Sequence, residues 1–225
     1  QGKPHDAVAQ FKTRLDEKRY SNEAIERYGY IHALLRDKKY KQANSELAHL
    51  YELLHGDSAS AALIDHPLGK TIRVEHKNII AGAMIETLSA SVKLANGKTA
   101  EAFATYKTAL KVYPQYRALS HGYANALIQN KQTEAALEFI NQQLQTIQND
   151  SKLYNLQAQC YSLLGNKMLE HRALAEVYFL KNHFKAAADQ LKIALQSDNG
   201  NFYQLSSIEA RLKQMETLVD EEKEK

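Results

Sequence analysis

One spacing constrains this chain more than any other feature. Ala102 is followed by Tyr106 four residues on, by Ala109 at seven and by Pro114 at twelve. Related spacings recur as Ala43, Leu47 and Leu50 after Tyr40, as Ala135 and Phe139 after Asn130-Lys131-Gln132, and as Ala187, Leu191 and Ala194 after Asn182-His183-Phe184. Residues four and seven apart share one face of an α-helix. A small residue lets two helices cross closely, and a bulky one a turn later fills the gap beside the crossing. The anchors at 102 and 135 lie 33 residues apart, which is the length of a pair of short helices and their turns. The chain therefore has to build itself from helical hairpins.

That interval is close to the 34-residue period of tetratricopeptide (TPR) repeats, and the fold class expected is all-α, a TPR-type helical-hairpin solenoid with irregular repeats and a C-terminal capping helix. Two intervals are too long. From Ala135 to Ala187 is 52 residues, with Leu156 to Gly165 forming an additional first helix and Met168 to Leu180 a single helix that serves two hairpins. From Ala43 to Ala102 is 59, and Gly56 to Lys70, with two Gly and Asp57-Ser58-Ala59-Ser60, reads as an inserted loop. Helices are expected over 5–19, 22–37, 40–54, 74–95, 99–112, 117–129, 133–147, 152–164, 167–181, 184–197 and 202–219. Sustained period-two alternation, the strand signal, is missing. The domain plan is one repeat domain over 1–225: first helices and hairpin 1–55, loop insertion 56–73, further repeats 74–201, capping helix 202–219 and charged tail 220–225.

Composition narrows the function. With 3 Pro and 9 Gly the chain favours helix throughout, and its longest apolar run, Ile79 to Ile85, falls far short of a membrane span. The net charge of +3 comes from Lys and Arg interleaved with acids rather than gathered in a stripe, which argues against nucleic acid as a partner. Cys160 is alone, so no intramolecular disulfide framework exists, and its apolar helical neighbours read as core. His49, Glu52 and His55 sit at three-residue steps, leaving the two His about 120° apart around a helix, poor for one tetrahedral ion. Asp65-His66 and Glu75-His76 are sequence neighbours that face different ways on a helix. No catalytic and no metal residue is assigned, and the chain itself is not read as an enzyme.

Other stretches carry a more specific likeness. Leu174-Ala175-Glu176-Val177-Tyr178-Phe179-Leu180 leads into Phe184, Ala187-Ala188 and Ala194-Leu195, then into Gly200-Asn201-Phe202 and Ile208-Glu209-Ala210-Arg211-Leu212. With Tyr28-Gly29-Tyr30 and Tyr40-Lys41-Gln42-Ala43 near the start, this resembles the C-terminal TPR domain of the beta-barrel assembly-enhancing proteases, bacterial periplasmic zinc metalloproteases. The resemblance implies a periplasmic location, an attached protease domain holding the zinc, and outer-membrane β-barrel substrates or assembly-machine subunits as partners. The His-Glu-x-x-His helix of that protease is missing here, because no His is followed by Glu. No cofactor is therefore expected in this chain. A start at Gln1, without Met or signal sequence, reads as a processed product or an excised domain. The alternative is a free-standing TPR scaffold or adaptor with no protease.

In either case the work is protein or peptide binding, on the face formed by the first helix of each hairpin. The repeat register places Tyr28, His32 and Arg36 there, then Arg117, Ser120 and Ala124, then Asn155 and Gln159, then Arg172 and Glu176. Arg, Asn and Gln on such a face can clamp a peptide backbone or a carboxylate. Tyr28, Tyr116 and Tyr154 are expected to line it, and Tyr40, Tyr106 and Tyr161 to fill packing positions.

Overall fold

The computed structural model describes residues 3–55, 76–197 and 200–223, and the insertion expected over 56–73 lies outside them. Among the described residues there are eleven helices and no strand: α1 Pro4–Asp16, α2 Glu23–Arg36, α3 Tyr40–His55, α4 His76–Ala95, α5 Thr99–Val112, α6 Arg117–Gln129, α7 Thr133–Thr146, α8 Ser151–Leu163, α9 Lys167–Phe179, α10 Phe184–Leu195 and α11 Phe202–Lys223. The fold is the all-α helical repeat that the spacing implies. None of these helices is long and apolar enough to cross a membrane.

The turns reveal the period more sharply than the anchors do. Lys18, Lys38, Gly97, Lys131, Gly165 and Asn182 all adopt positive φ, between 53° and 78°. Each ends a helix in the same way. The residue after Gly97 donates its N–H to the Lys93 carbonyl, and Gly97 donates to Leu94; the pair recurs at Lys131, where Gln132 donates to Leu127 and Lys131 to Ile128. This left-handed cap satisfies the orphan carbonyls of the last turn and reverses the chain within two residues. Positions 97, 131 and 165 are 34 apart, and 182 follows after 17, half a period. Tight turns thus both precede and follow α9, making it the second helix of one hairpin and the first of the next.

The second helices repeat a buried triad. Ala43, Leu47 and Leu50, then Ala102, Tyr106 and Ala109, then Ala187, Leu191 and Ala194 are at most 6% exposed. Ala135 does not belong to this set. It is exposed, whereas Ala136 is fully buried, and Ala102 to Ala136 spans 34 residues. Adjacent alanines left the register open by one step, and the distance from the Lys131 turn decides it.

The chain divides into two compact units, Gln1–Leu119 and Ser120–Lys225. In the first, α1 packs on α2, α2 on α3, α3 on α4 and α4 on α5. Its core gathers Ile31, Leu34, Leu50, Leu88 and Val92. A Cβ on Gly29 would lie 2.6 Å from the Phe11 ring, so glycine lets α1 and α2 approach here without displacing that ring. Arg27 bridges α2 to α3, donating to Glu23 at 2.9 Å and Glu46 at 2.6 Å. Arg14 and Glu26, 2.8 Å apart, tie α1 to α2.

In the second unit α7 through α11 pack in chain order. Met168 of α9, Ala187 and Leu191 of α10, and Ile208 and Met215 of α11 form one core. Asp150 caps α8, accepting from the backbone N–H groups of Lys152 and Leu153. Its carboxylate also lies 2.9 Å from His121 Nε2, joining α6 to the α7–α8 turn. Asn201 and Gln204 exchange side-chain bonds with each other's backbone N–H at the start of α11, a reciprocal box that starts the last helix. That helix covers α10 with Ile208 and Met215 and exposes Glu209, Lys213 and Glu216, as a capping helix should. It runs to Lys223, four residues past the expected end, because the charged tail continues the helix.

Candidate partner-binding groove

The residues selected from the register fall into both units. In Gln1–Leu119, Tyr28 is half-buried on α2 with its ring 4.7 Å from the His32 ring, edge to face. Burial pushes the Tyr28 phenol above its ordinary range, and the nearby Tyr116 adds to this. The His32 imidazole retains a solvent-facing edge, yet desolvation by its surroundings lowers its pKa. Arg36 and Arg117 are exposed.

In Ser120–Lys225 a groove of about 270 Å³ runs across α7, α8 and α9. Helix α8 supplies Tyr154, Gln157 and Tyr161, spaced three and four residues apart on one helical stripe. Helix α9 supplies Arg172 and Glu176, one turn apart, and α7 supplies Asn141 and Gln145. These side chains are fixed to one another. Gln157 donates its amide to Asn141 Oδ1 at 2.7 Å. Glu176 receives a forked pair of bonds from Arg211 of α11, with Nε to Oε1 at 2.9 Å and the second guanidinium nitrogen on Oε2. The same guanidinium stacks 4.3 Å from the centre of the Phe179 ring and donates to Gln214. A bidentate fork over an aromatic face holds Arg211 in one pose.

Arg172 differs. It is exposed at the edge of the groove and forms no ion pair among the described residues. Its charge is felt by both tyrosines. Burial raises the Tyr154 phenol, with Glu176 adding and Arg211 and Arg172 opposing. Burial likewise raises Tyr161, against the pull of Arg172 and a hydrogen bond with Asn141. Both phenols therefore stay protonated at neutral pH and present O–H groups, while Glu176 is occupied by Arg211. The groove offers one uncommitted cation, several neutral donors and two aromatic faces.

Of the ten residues placed by the register, Arg172 and Glu176 line this groove, as does Tyr154, which was expected on the same face. Asn155 and Gln159 are exposed, but at 100° per residue they lie roughly 140° around α8 from the Tyr154–Tyr161 stripe. Ser120 is fully buried and donates to Gln143 Oε1 at 2.9 Å, so it is not available to a partner; Ala124 is equally buried. Here the register put Ser120 and Ala124 of α6 on the open face, and both pack inward, while Arg117 stays exposed. Tyr161 was expected only to pack, yet it also lines the groove. Asn141 and Gln157 were missed. For Gln157 the signal was a stripe of α8 carrying aromatics and an amide where a core stripe would carry aliphatics; Asn141, on α7, had none. Cys160 is completely buried, and burial pushes its thiol up to about 11, which keeps it unreactive as a nucleophile.

The family model described as "Tetratricopeptide repeat" matches residues 93–160. No curated protein matches the sequence. Among solved structures, the crystal structure of the P58(IPK) TPR domain is similar at 14% identity with a TM-score of 0.30, the match covering 100% of this chain and 54% of that one. The chain spans about half the length of that structure's chain. From the end of α4 through most of α8, the sequence carries a tetratricopeptide repeat within an all-helical fold.

Proposed function

We propose that this chain is a protein-interaction module, and that it docks outer-membrane β-barrel substrates or assembly-machine subunits for an attached periplasmic zinc metalloprotease. The first part rests on the repeat, because stacked helical hairpins present extended surfaces to proteins and peptides. The observation that carries it is the α7–α9 groove, with an uncommitted Arg172 beside two tyrosines and a row of amides. Such a surface orients a partner through hydrogen bonds and stacking, and it contains no activated nucleophile. Docking beside a tethered active site raises the substrate's effective concentration without new chemistry.

The protease association is supported by the likeness of Leu174 to Leu180 and of Ile208 to Leu212 to the assembly-enhancing proteases. In this chain those segments meet: Glu176 from the first accepts the fork from Arg211 of the second. A photo-crosslinking residue at Gln157 in periplasmic cells tests the reading. Adducts with β-barrel precursors or assembly subunits are expected at Gln157 and not at exposed Lys185. Equal labelling at both positions would remove the groove from the docking role. A His-Glu-x-x-His helix encoded upstream of Gln1 is expected as well. If none is found, the protease is lost from the reading and a free-standing adaptor remains.

A further inference from the structure

We infer that the α7–α9 groove selects an extended peptide segment carrying acidic side chains, with Arg172 as the anchor for a Glu or Asp carboxylate. The inference deepens the docking role and rests on it.

The argument is one of charge balance in a confined place. Three charged side chains meet at this end of the groove: Arg172, Glu176 and Arg211. The last two neutralise each other through a two-bond fork. The positive charge left over belongs to Arg172, which forms no ion pair among the described residues. A planar guanidinium beside low-dielectric aromatic walls is a site for a carboxylate, and a bond to such a charge is worth more than one between neutral groups. Glu176 would repel that ligand if it were free, so Arg211 acts as a positioning residue by occupying it.

The neutral lining says how the rest of the ligand runs. Gln157 and Tyr161 each bond Asn141, and both phenols sit close enough to Arg172 to feel its charge. Side-chain amides and phenols both donate and accept, so they can bond the carbonyl and N–H groups of a peptide backbone. Capture of a chain end works differently, through a nest of converging backbone N–H groups. The lining residues all sit inside α7, α8 and α9, where the helices take up the backbone N–H groups, so no such nest is offered and the occupant is an internal segment crossing the groove. Its acidic side chain meets Arg172, and an apolar neighbour rests on Tyr154 or Tyr161.

The test uses the full chain and three fluorescein-labelled octapeptide pools, all with randomised flanks and amidated C-termini. Their central pairs are fixed as Glu-Glu, Gln-Gln or Lys-Lys, and a fourth pool repeats Gln-Gln with a free C-terminus. The Glu-Glu pool should bind at least about tenfold more tightly than Gln-Gln, which is the size of one charge-assisted bond. Arg172→Ala should abolish that preference, and raising salt from about 50 mM to about 300 mM should narrow it by screening. Glu176→Gln, which keeps the shape and leaves the Arg211 charge unneutralised beside the groove, should tighten Glu-Glu binding two- to threefold, roughly the size of a partly screened charge effect. Circular dichroism of each variant checks that it is folded. Equal binding of Glu-Glu and Gln-Gln pools overturns the acidic preference and leaves peptide docking standing. A free C-terminus outcompeting Glu-Glu overturns the internal-segment assignment. Binding of no pool overturns both this inference and the groove as the docking site.

Discussion

Arg27 and Arg172 are both arginines on helices that pack against neighbours on two sides, and the two units use them differently. In Gln1–Leu119, Arg27 is held between Glu23 and Glu46, and Glu26, next to it on α2, pairs with Arg14 of α1. These charges clip α1, α2 and α3 together. In Ser120–Lys225 the clip is Arg211 on Glu176, from α11 to α9, and Arg172 is left facing a groove. A paired arginine between helices belongs to the architecture, while one left uncommitted beside aromatic walls is free to meet a ligand. Sequence does not separate the two cases, since both are an Arg one turn from a Glu: Glu23 and Arg27, Arg172 and Glu176.

The comparison can be broken at its strongest point first, the cores. Leu34→Ala in the first unit and Leu191→Ala in the second each remove a side chain with no exposed surface. Each should cost about 2–5 kcal/mol, read by urea denaturation followed by circular dichroism. A loss under about 1 kcal/mol at either would mean that the unit's core collapses around the cavity and is looser than its packing implies.

The turns come next. Lys38 and Lys131 carry side chains at φ 60°, where glycine is favoured, and Gly165 sits in the same cap at φ 73°. Lys38→Gly and Lys131→Gly should each raise stability by up to about 1 kcal/mol, and Gly165→Ala should lower it by about the same. If the lysine substitutions lower thermal midpoints instead, the lysine stems contribute packing that outweighs backbone strain.

The arginines test the contrast itself. Arg27→Met should destabilise by about 1 kcal/mol, since two partly exposed carboxylates lose their partner. Arg172→Met should change stability by less than about 0.5 kcal/mol, as expected of a surface residue with no ion pair among the described residues. Equal losses would make Arg172 as structural as Arg27.

The smallest effect is on pH. Desolvation holds the His32 pKa below its ordinary value in the folded chain. The unfolded chain then binds the extra proton first as pH falls through the ordinary histidine range, about 6.5. The stability contribution is complete above that value and is lost progressively below it. His32→Gln should flatten this part of a thermal-midpoint profile. An unchanged profile would shift the acid sensitivity to other groups.

Much of this protein is legible from residues alone. Small and bulky residues at four- and seven-residue steps dictate helix faces, and Gly97 and Gly165, both in the expected turns, mark two of the caps. Helices α5 and α6 have the expected limits, and the others differ by at most a few residues, mostly where a terminal turn is trimmed. The half-period after residue 165 can also be read from the interval between anchors. These features are local, fixed by backbone geometry and nearest neighbours in the chain.

Tertiary packing decided the rest. Which of Ala135 and Ala136 faces the core depends on the neighbouring helix, as does whether Ser120 meets solvent or Gln143. Arg211 lies 35 residues from Glu176, and only the packing of α9, α10 and α11 brings them together. That contact determines the charge of the groove, because it removes Glu176 from the balance and leaves Arg172. Sequence periodicity specifies which face a residue occupies on its own helix, whereas the neighbour opposite that face is set by how the helices stack.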